Sequence, residues 1–187
     1  MKTAIIIHGT EGYPEENWFP WLENELEKIG YQVFVPQFPS PPVVPSKISE
    51  WFDVFKEYEK YLDEDTLIIG HSLGGIFTLR ILEKINEPIN ATFLVGTPIG
   101  VQPILNYERD ESFSGFDFDW EKIKNSSNNF VVFQSDTDPY VGLENGKKLA
   151  ENLGVELSFR PNSGHFNAKS GFLKFDDLLE TIKNTIE

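Results

Sequence analysis

Apolar residues in this chain fall into two alternating textures. Short runs dense in Ile, Val, Leu and Phe occur at 4–7, 31–35, 66–69, 91–95, 130–133 and 155–159. Such runs predict strands, because branched and aromatic side chains suit a pleated surface. Between them, apolar residues recur every three or four positions among acids and lysines. Trp18, Leu22, Leu26 and Ile29 form one such stripe and stop at Gly30. Ile48, Trp51, Phe55, Tyr58 and Leu62 form a second. Helices are also predicted over 76–85 and 143–153, and along Phe172, Phe175, Leu178, Leu179, Ile182 and Ile186. Short strands alternating with helices predict βαβ units and a parallel sheet. The strands read as continuous apolar runs, as expected when helices cover both faces. The expected fold class is therefore α/β, a three-layer sandwich of about six mostly parallel strands.

The chain has 187 residues and no internal repeat or linker, so a single domain over 1–187 is expected. A chain of this size buries roughly 70% of its unfolded surface and needs no staples. One stretch, 97–129, lacks a long helical stripe and carries Tyr107, Phe113, Phe116, Phe118 and Trp120. Loops that long are often functional. A short helix over 120–123 is compatible with it.

Composition then removes several classes of function. There is no cysteine, which excludes disulfides, thiolate metal sites and a cysteine nucleophile. The formal charge is −14, spread along the chain: 5 basic and 13 acidic residues up to position 70, 11 and 17 after it. Such a surface repels phosphate backbones, so no nucleic-acid partner is expected. No segment approaches the roughly 20 apolar residues of a membrane span. The apolar run at the N-terminus is too short for a signal peptide. A cytoplasmic protein without a membrane partner is the expectation.

In an open parallel sheet, ligands sit beyond the carboxyl ends of the strands. Gly70-His71-Ser72-Leu73-Gly74 follows the third strand and opens a helix. It fits G-x-S-x-G, a sharp turn that lifts a serine hydroxyl above the sheet and needs small neighbours to close. A glycine-rich turn with a serine cap is the bland alternative. A serine nucleophile needs a base. Of His8, His71 and His165, only His165 lies in a loop after the last strand. The base needs an acid to fix its tautomer. Asp136 and Asp138 both follow the fifth strand. Asp138 precedes Pro139 and is expected to extend, whereas Asp136 is expected to close an Asx-turn. Oxyanion donors are expected from the backbone N–H of Leu73 and, in the loop His8-Gly9-Thr10-Glu11-Gly12, from Thr10. The chain order is Ser72, Asp138, His165.

With these motifs in place, the chain resembles the small α/β-hydrolases. In detail it resembles the lidless serine hydrolases of the retinoblastoma-binding-protein-nine and YdeN-like group. The likeness runs through Asn17-Trp18-Phe19-Pro20-Trp21-Leu22, the 39–42 proline loop, Gly70–Gly74, Ser135-Asp136-Thr137-Asp138 and Gly164-His165-Phe166. It implies a sheet shortened at its N-terminal edge, no separate lid domain, and catalytic Ser72, Asp138 and His165. Without cysteine, the chain cannot carry the L-x-C-x-E segment after which part of the group is named.

The expected activity is cleavage of small carboxylic esters or related acyl compounds through an acyl-enzyme. The partner is then a small acyl substrate, and no cofactor or metal is called for. The different-class alternative is a catalytically silent binding protein on the same scaffold. His8, Gly9, His71, Phe113 and Phe116 are expected to line the substrate pocket. The aromatic stretch equally fits simple packing against the sheet. A metal-dependent hydrolase built on the three histidines lacks any H-x-H or H-x-x-x-H pair.

Overall fold

The computed structural model describes residues 2–39, 47–105, 111–115 and 117–186. Pro41, Pro42, Pro45, Tyr107 and Phe116 lie outside these residues.

Among the described residues the chain forms one six-stranded sheet in the order β2-β1-β3-β4-β5-β6. The strands are β1 (Thr3–Ile7), β2 (Gln32–Phe34), β3 (Leu67–His71), β4 (Ile89–Val95), β5 (Ser127–Gln134) and β6 (Leu157–Phe159). Every neighbouring pair is parallel. Successive side chains of a strand face opposite sides, and the core divides accordingly. Ile5, Ile7, Ile68 and Leu94 face one layer of helices, while Ala4, Ile6, Ile69 and Phe93 face the other. The first layer includes α2 (Ile48–Phe55), α3 (Leu73–Leu82), α5 (Trp120–Lys124) and α6 (Leu143–Leu153); the second holds α1 (Phe19–Lys28) and α7 (Asp176–Ile186). This is the expected three-layer α/β architecture.

Some elements differ from the sequence pattern. The second stripe breaks after Phe55, and Tyr58 and Leu62 flank a separate 3-10 turn at Glu59–Tyr61. Both side chains still pack on the core, so the periodicity reports burial rather than one continuous helix. Phe172 and Phe175 precede α7 and meet Phe166 in the second layer, Phe175 stacked on it and Phe172 edge-on. Within 97–129, the short helix α4 (Glu111–Ser114) accompanies α5.

α3 enters the sheet unusually closely. A Cβ on Gly74 would stand 2.3 Å from the Ile7 carbonyl oxygen, and one on Gly75 would stand 1.9 Å from Thr97 Oγ1. These two positions must lack side chains for the helix to start directly beneath the ends of β1 and β4.

Candidate active site

The register brings four strand ends to one edge. Ile7 pairs with Gly70 and His71 pairs with Val95. Ser72 N–H then donates to the Val95 carbonyl at 2.8 Å, and Gly96 N–H donates to that of Phe133 at 3.0 Å. The residues that follow β1, β3, β4 and β5 therefore meet above the sheet.

Ser72 sits between β3 and α3 at φ 55° and ψ −122°. Positive φ is costly for a residue with a Cβ, about 1–3 kcal/mol, and persists only where the surroundings impose it. Here strand pairing on one side and the glycine contacts of α3 on the other impose it. The Ser72 side chain rests on Gly9: a Cβ there would stand 2.8 Å from Ser72 Cβ and 3.3 Å from its Oγ. Leu73 is the first residue of α3, and the leading N–H groups of a helix have no partner within it.

The loop after β5 meets the loop after β6 residue by residue. Ser135 Oγ accepts from Ser163 N, Asp136 Oδ1 from Asn162 N and Thr137 Oγ1 from Gly164 N, at 3.0, 2.8 and 3.1 Å. Asp138 completes the ladder with a side chain instead of a backbone group: its Oδ2 accepts from His165 Nδ1 at 2.6 Å. Asp138 Oδ1 accepts from the N–H groups of Tyr140 and Val141 at 2.9 and 3.0 Å. The Asx-type turn expected of Asp136 is thus made by Asp138, and Asp136 reaches across to the other loop. The Asp138 side chain is fully buried and that of His165 is 7% exposed. Because Nδ1 faces a carboxylate it carries the proton, which leaves Nε2 as the acceptor.

The other two histidines are held neutral. His71 Nε2–H donates to the His165 carbonyl at 2.9 Å, and burial, with His165 close by, pushes its pKa down to about 3. His8 Nδ1–H donates to Gly9 O, and its Nε2 accepts from Phe38 N–H at 2.9 Å. Burial lowers its pKa as well, against that hydrogen bond. Glu16 is displaced the opposite way: burial raises its carboxyl to about 7, opposed by a hydrogen bond from the Tyr13 backbone.

These groups border a cavity of about 540 Å³. Ser72, His165, Thr10, Leu73, Gly9 and His71 all line it, as do Glu16, Tyr140 and Leu173. Among the described residues, no group of three or more His, Cys, Asp or Glu side chains is placed to hold a metal ion. Nor, among the described residues, is any helix long and apolar enough to cross a membrane.

Residues 4–184 match the family model described as serine hydrolase. The chain belongs to the serine hydrolase family. It is 30% identical to the putative hydrolase YdeN of Bacillus subtilis (strain 168) over 173 residues, covering 91% of this chain and 89% of that one. It is 29% identical to the serine hydrolase RBBP9 of Rattus norvegicus over 186 residues, or 98% and 95% of the two chains. The crystal structure of the B. subtilis ydeN gene product superposes with a TM-score of 0.91 at 27% identity, covering 99% and 98%.

Within this serine hydrolase the expected pocket residues part company. Gly9 and His71 border the cavity; His8 and Phe113 do not. His8 is fully buried against Phe38 and Trp51, and its ring ties the loop after β1 to the segment after β2. Phe113 is fully buried edge-on to Trp51 and Phe77, so it belongs to the core. Arg80 fastens that segment: its Nε donates to Phe113 O and its guanidinium lies 4.0 Å from the Phe118 ring centroid. Phe116 lies outside the described residues.

Sequence reasoning missed two supports of the site. Gln134 is fully buried at the end of β5, and its Nε2 donates to Val141 O at 2.8 Å with Asp138 Oδ2 at 3.5 Å. Its signal was a polar residue closing an apolar strand. Trp18 Nε1–H donates to Phe166 O at 2.8 Å. Its helical spacing marked it only as core.

Proposed function

We propose that this serine hydrolase cleaves small carboxylic esters through a covalent acyl-enzyme, with Ser72 as nucleophile, His165 as base and Asp138 as the group that orients it. The observation that carries this is the 2.6 Å contact between buried Asp138 Oδ2 and Nδ1 of His165, a residue that lines the same cavity as Ser72. Ser72 Oγ attacks the ester carbonyl carbon, and its proton passes to His165 Nε2. The imidazolium that results is stabilised by Asp138. The backbone N–H groups of Leu73 and Thr10 hold the tetrahedral oxyanion. Its collapse breaks the bond to the alcohol oxygen, which takes the proton from His165. A water then gives its proton to His165 and attacks the acyl carbon. The acid leaves, and Ser72 recovers the proton.

The neutral His8 and His71 favour this assignment. Each already spends a ring N–H on a backbone carbonyl, which leaves His165 to serve as the base. The test is labelling with a fluorophosphonate, followed by mass mapping. A stoichiometric adduct on Ser72, lost in His165→Ala, supports the reading. Absence of an adduct on folded protein favours a binding protein on this scaffold instead. An ester chain-length series then defines the acyl group.

A further inference from the structure

The turn that carries His165 is left-handed on both sides and strained on one. Gly164 has φ 54° and Phe166 has φ 50°, and a bulky residue in the left-handed region is a true outlier. Two consecutive carbonyls of this turn are held from beneath by side chains distant in sequence. His71 Nε2–H donates to His165 O at 2.9 Å, and Trp18 Nε1–H donates to Phe166 O at 2.8 Å. The two donor rings pack edge-on with centroids 6.0 Å apart, and the His71 and His165 ring centroids are 4.8 Å apart.

His71 is a costly choice for filling this space. Its Nδ1 is buried with no hydrogen-bond partner, and a buried polar atom left unpaired is destabilising. A phenylalanine would occupy the gap among Trp18, Phe19 and His165 with no orphan atom. What it would lack is the N–H that reaches the His165 carbonyl. Burial keeps His71 neutral, with its one proton on Nε2.

We propose that His71 is a positioning residue which, with Trp18, clamps the main chain of the His165 turn and so sets where the imidazole stands relative to Ser72. This rests on the hydrolase reading above. The strand that delivers the nucleophile thereby also locates the base, since His71 and Ser72 are neighbours at the end of β3. Nothing in this role requires His71 to touch substrate.

The test compares wild type, His71→Phe, His71→Gln and Trp18→Phe by kcat, KM, pH dependence and NMR titration of the His165 ring. His71→Phe keeps the ring and loses the donor. Misplacement of a reacting group by about 1 Å costs up to roughly 100-fold, so kcat should fall by about 10- to 100-fold with KM nearly unchanged. The acid limb of the kcat profile should move to lower pH as the Asp138 contact loosens. His71→Gln, whose amide reaches the Nε2 position, should recover most of the loss. Trp18→Phe should lower kcat in the same sense, and the double variant should lose less than the product of the two, because both donors hold one turn.

Wild-type kcat in His71→Phe overturns the proposal, as does a loss that His71→Gln fails to relieve or that appears in KM alone. If His71→Phe does not fold, His71→Gln against the shorter His71→Asn reads the same contact, and equal activities overturn it. If the wild type takes no fluorophosphonate on Ser72, the hydrolase reading falls. The His165 titration, which needs no substrate, still decides the clamp: an unchanged titration in His71→Phe overturns it.

Discussion

Gly96, at the end of β4, faces His165: a Cβ on Gly96 would stand 3.2 Å from His165 Nδ1 and 3.5 Å from Asp138 Oδ2. Gly96 also has φ 56°. Gly96→Ala therefore combines a left-handed alanine, at about 1–2 kcal/mol, with a methyl group pressed on the Asp138–His165 hydrogen bond. We expect a lowered denaturant midpoint together with a kcat loss larger than that stability loss alone would cause. Wild-type kcat in a measurably destabilised variant would show that the pair tolerates the methyl.

The two aspartates of the loop after β5 should separate cleanly. Asp138→Asn removes the charge beside His165 and disturbs its tautomer, and in other serine hydrolases that change costs about 10⁴ in kcat. Asp136→Asn keeps an oxygen for the Asn162 N–H. It should leave kcat near wild type and change stability by no more than about 0.5 kcal/mol. Steady-state kinetics on both variants checks this, and a reversed order reassigns the acid.

Glu16 should leave a signature in stability against pH. Its carboxyl is raised to about 7 from 4.5. Below about pH 4.5 both folded and unfolded chains hold the proton, and the full stability is present. As pH rises towards 7, the unfolded chain releases the proton first, so stability is lost through that window. Glu16→Gln should therefore raise the melting temperature at pH 8 and change it little at pH 4.5. An equal gain at both values would remove ionisation as the cause.

Much of this was legible in the residues. The six strands follow from runs of Ile, Val and Phe, because burial on both faces leaves no room for polar alternation. Ser72 is readable from its glycines, which are demanded by the approach of α3 to β1. Other features were not readable, because periodicity reports burial and not its purpose. Phe113 and Leu173 are both apolar, one in the core and one on the cavity wall, and nothing in the sequence separates the two. The roles of His8 and His71 show only once a ring N–H of each is found donating to a backbone carbonyl. Asp136 and Asp138 differ in the sequence only by the proline after Asp138; that Asp138 also makes the Asx-type turn, and that Asp136 reaches Asn162, depends on where the facing loop lies.

Asn145 supports the loop after β4 from inside α6. Fully buried, it accepts from Ile99 N and Val101 N at 2.9 and 3.1 Å and donates to Val101 O at 2.6 Å. Asn145→Leu fills the same volume and orphans these backbone groups, at about 1–3 kcal/mol for each left unsatisfied. A large fall in the denaturant midpoint is expected. KM should rise too, since Pro98, Ile104 and Leu105 of that loop border the cavity. Retained stability would mean that water replaces the amide.

The ladder between residues 135–138 and 162–165 has a consequence for how this scaffold can change. Everything between its two rails, α6 and β6 included, leaves from one fastened strip and returns to the other. Asp138 and His165 keep their spacing through bonds local to the strips. Asn145 ties the start of that segment to the loop after β4, so the turn at Gly154, where a Cβ would meet nothing within 4 Å, is where added chain would disturb the site least.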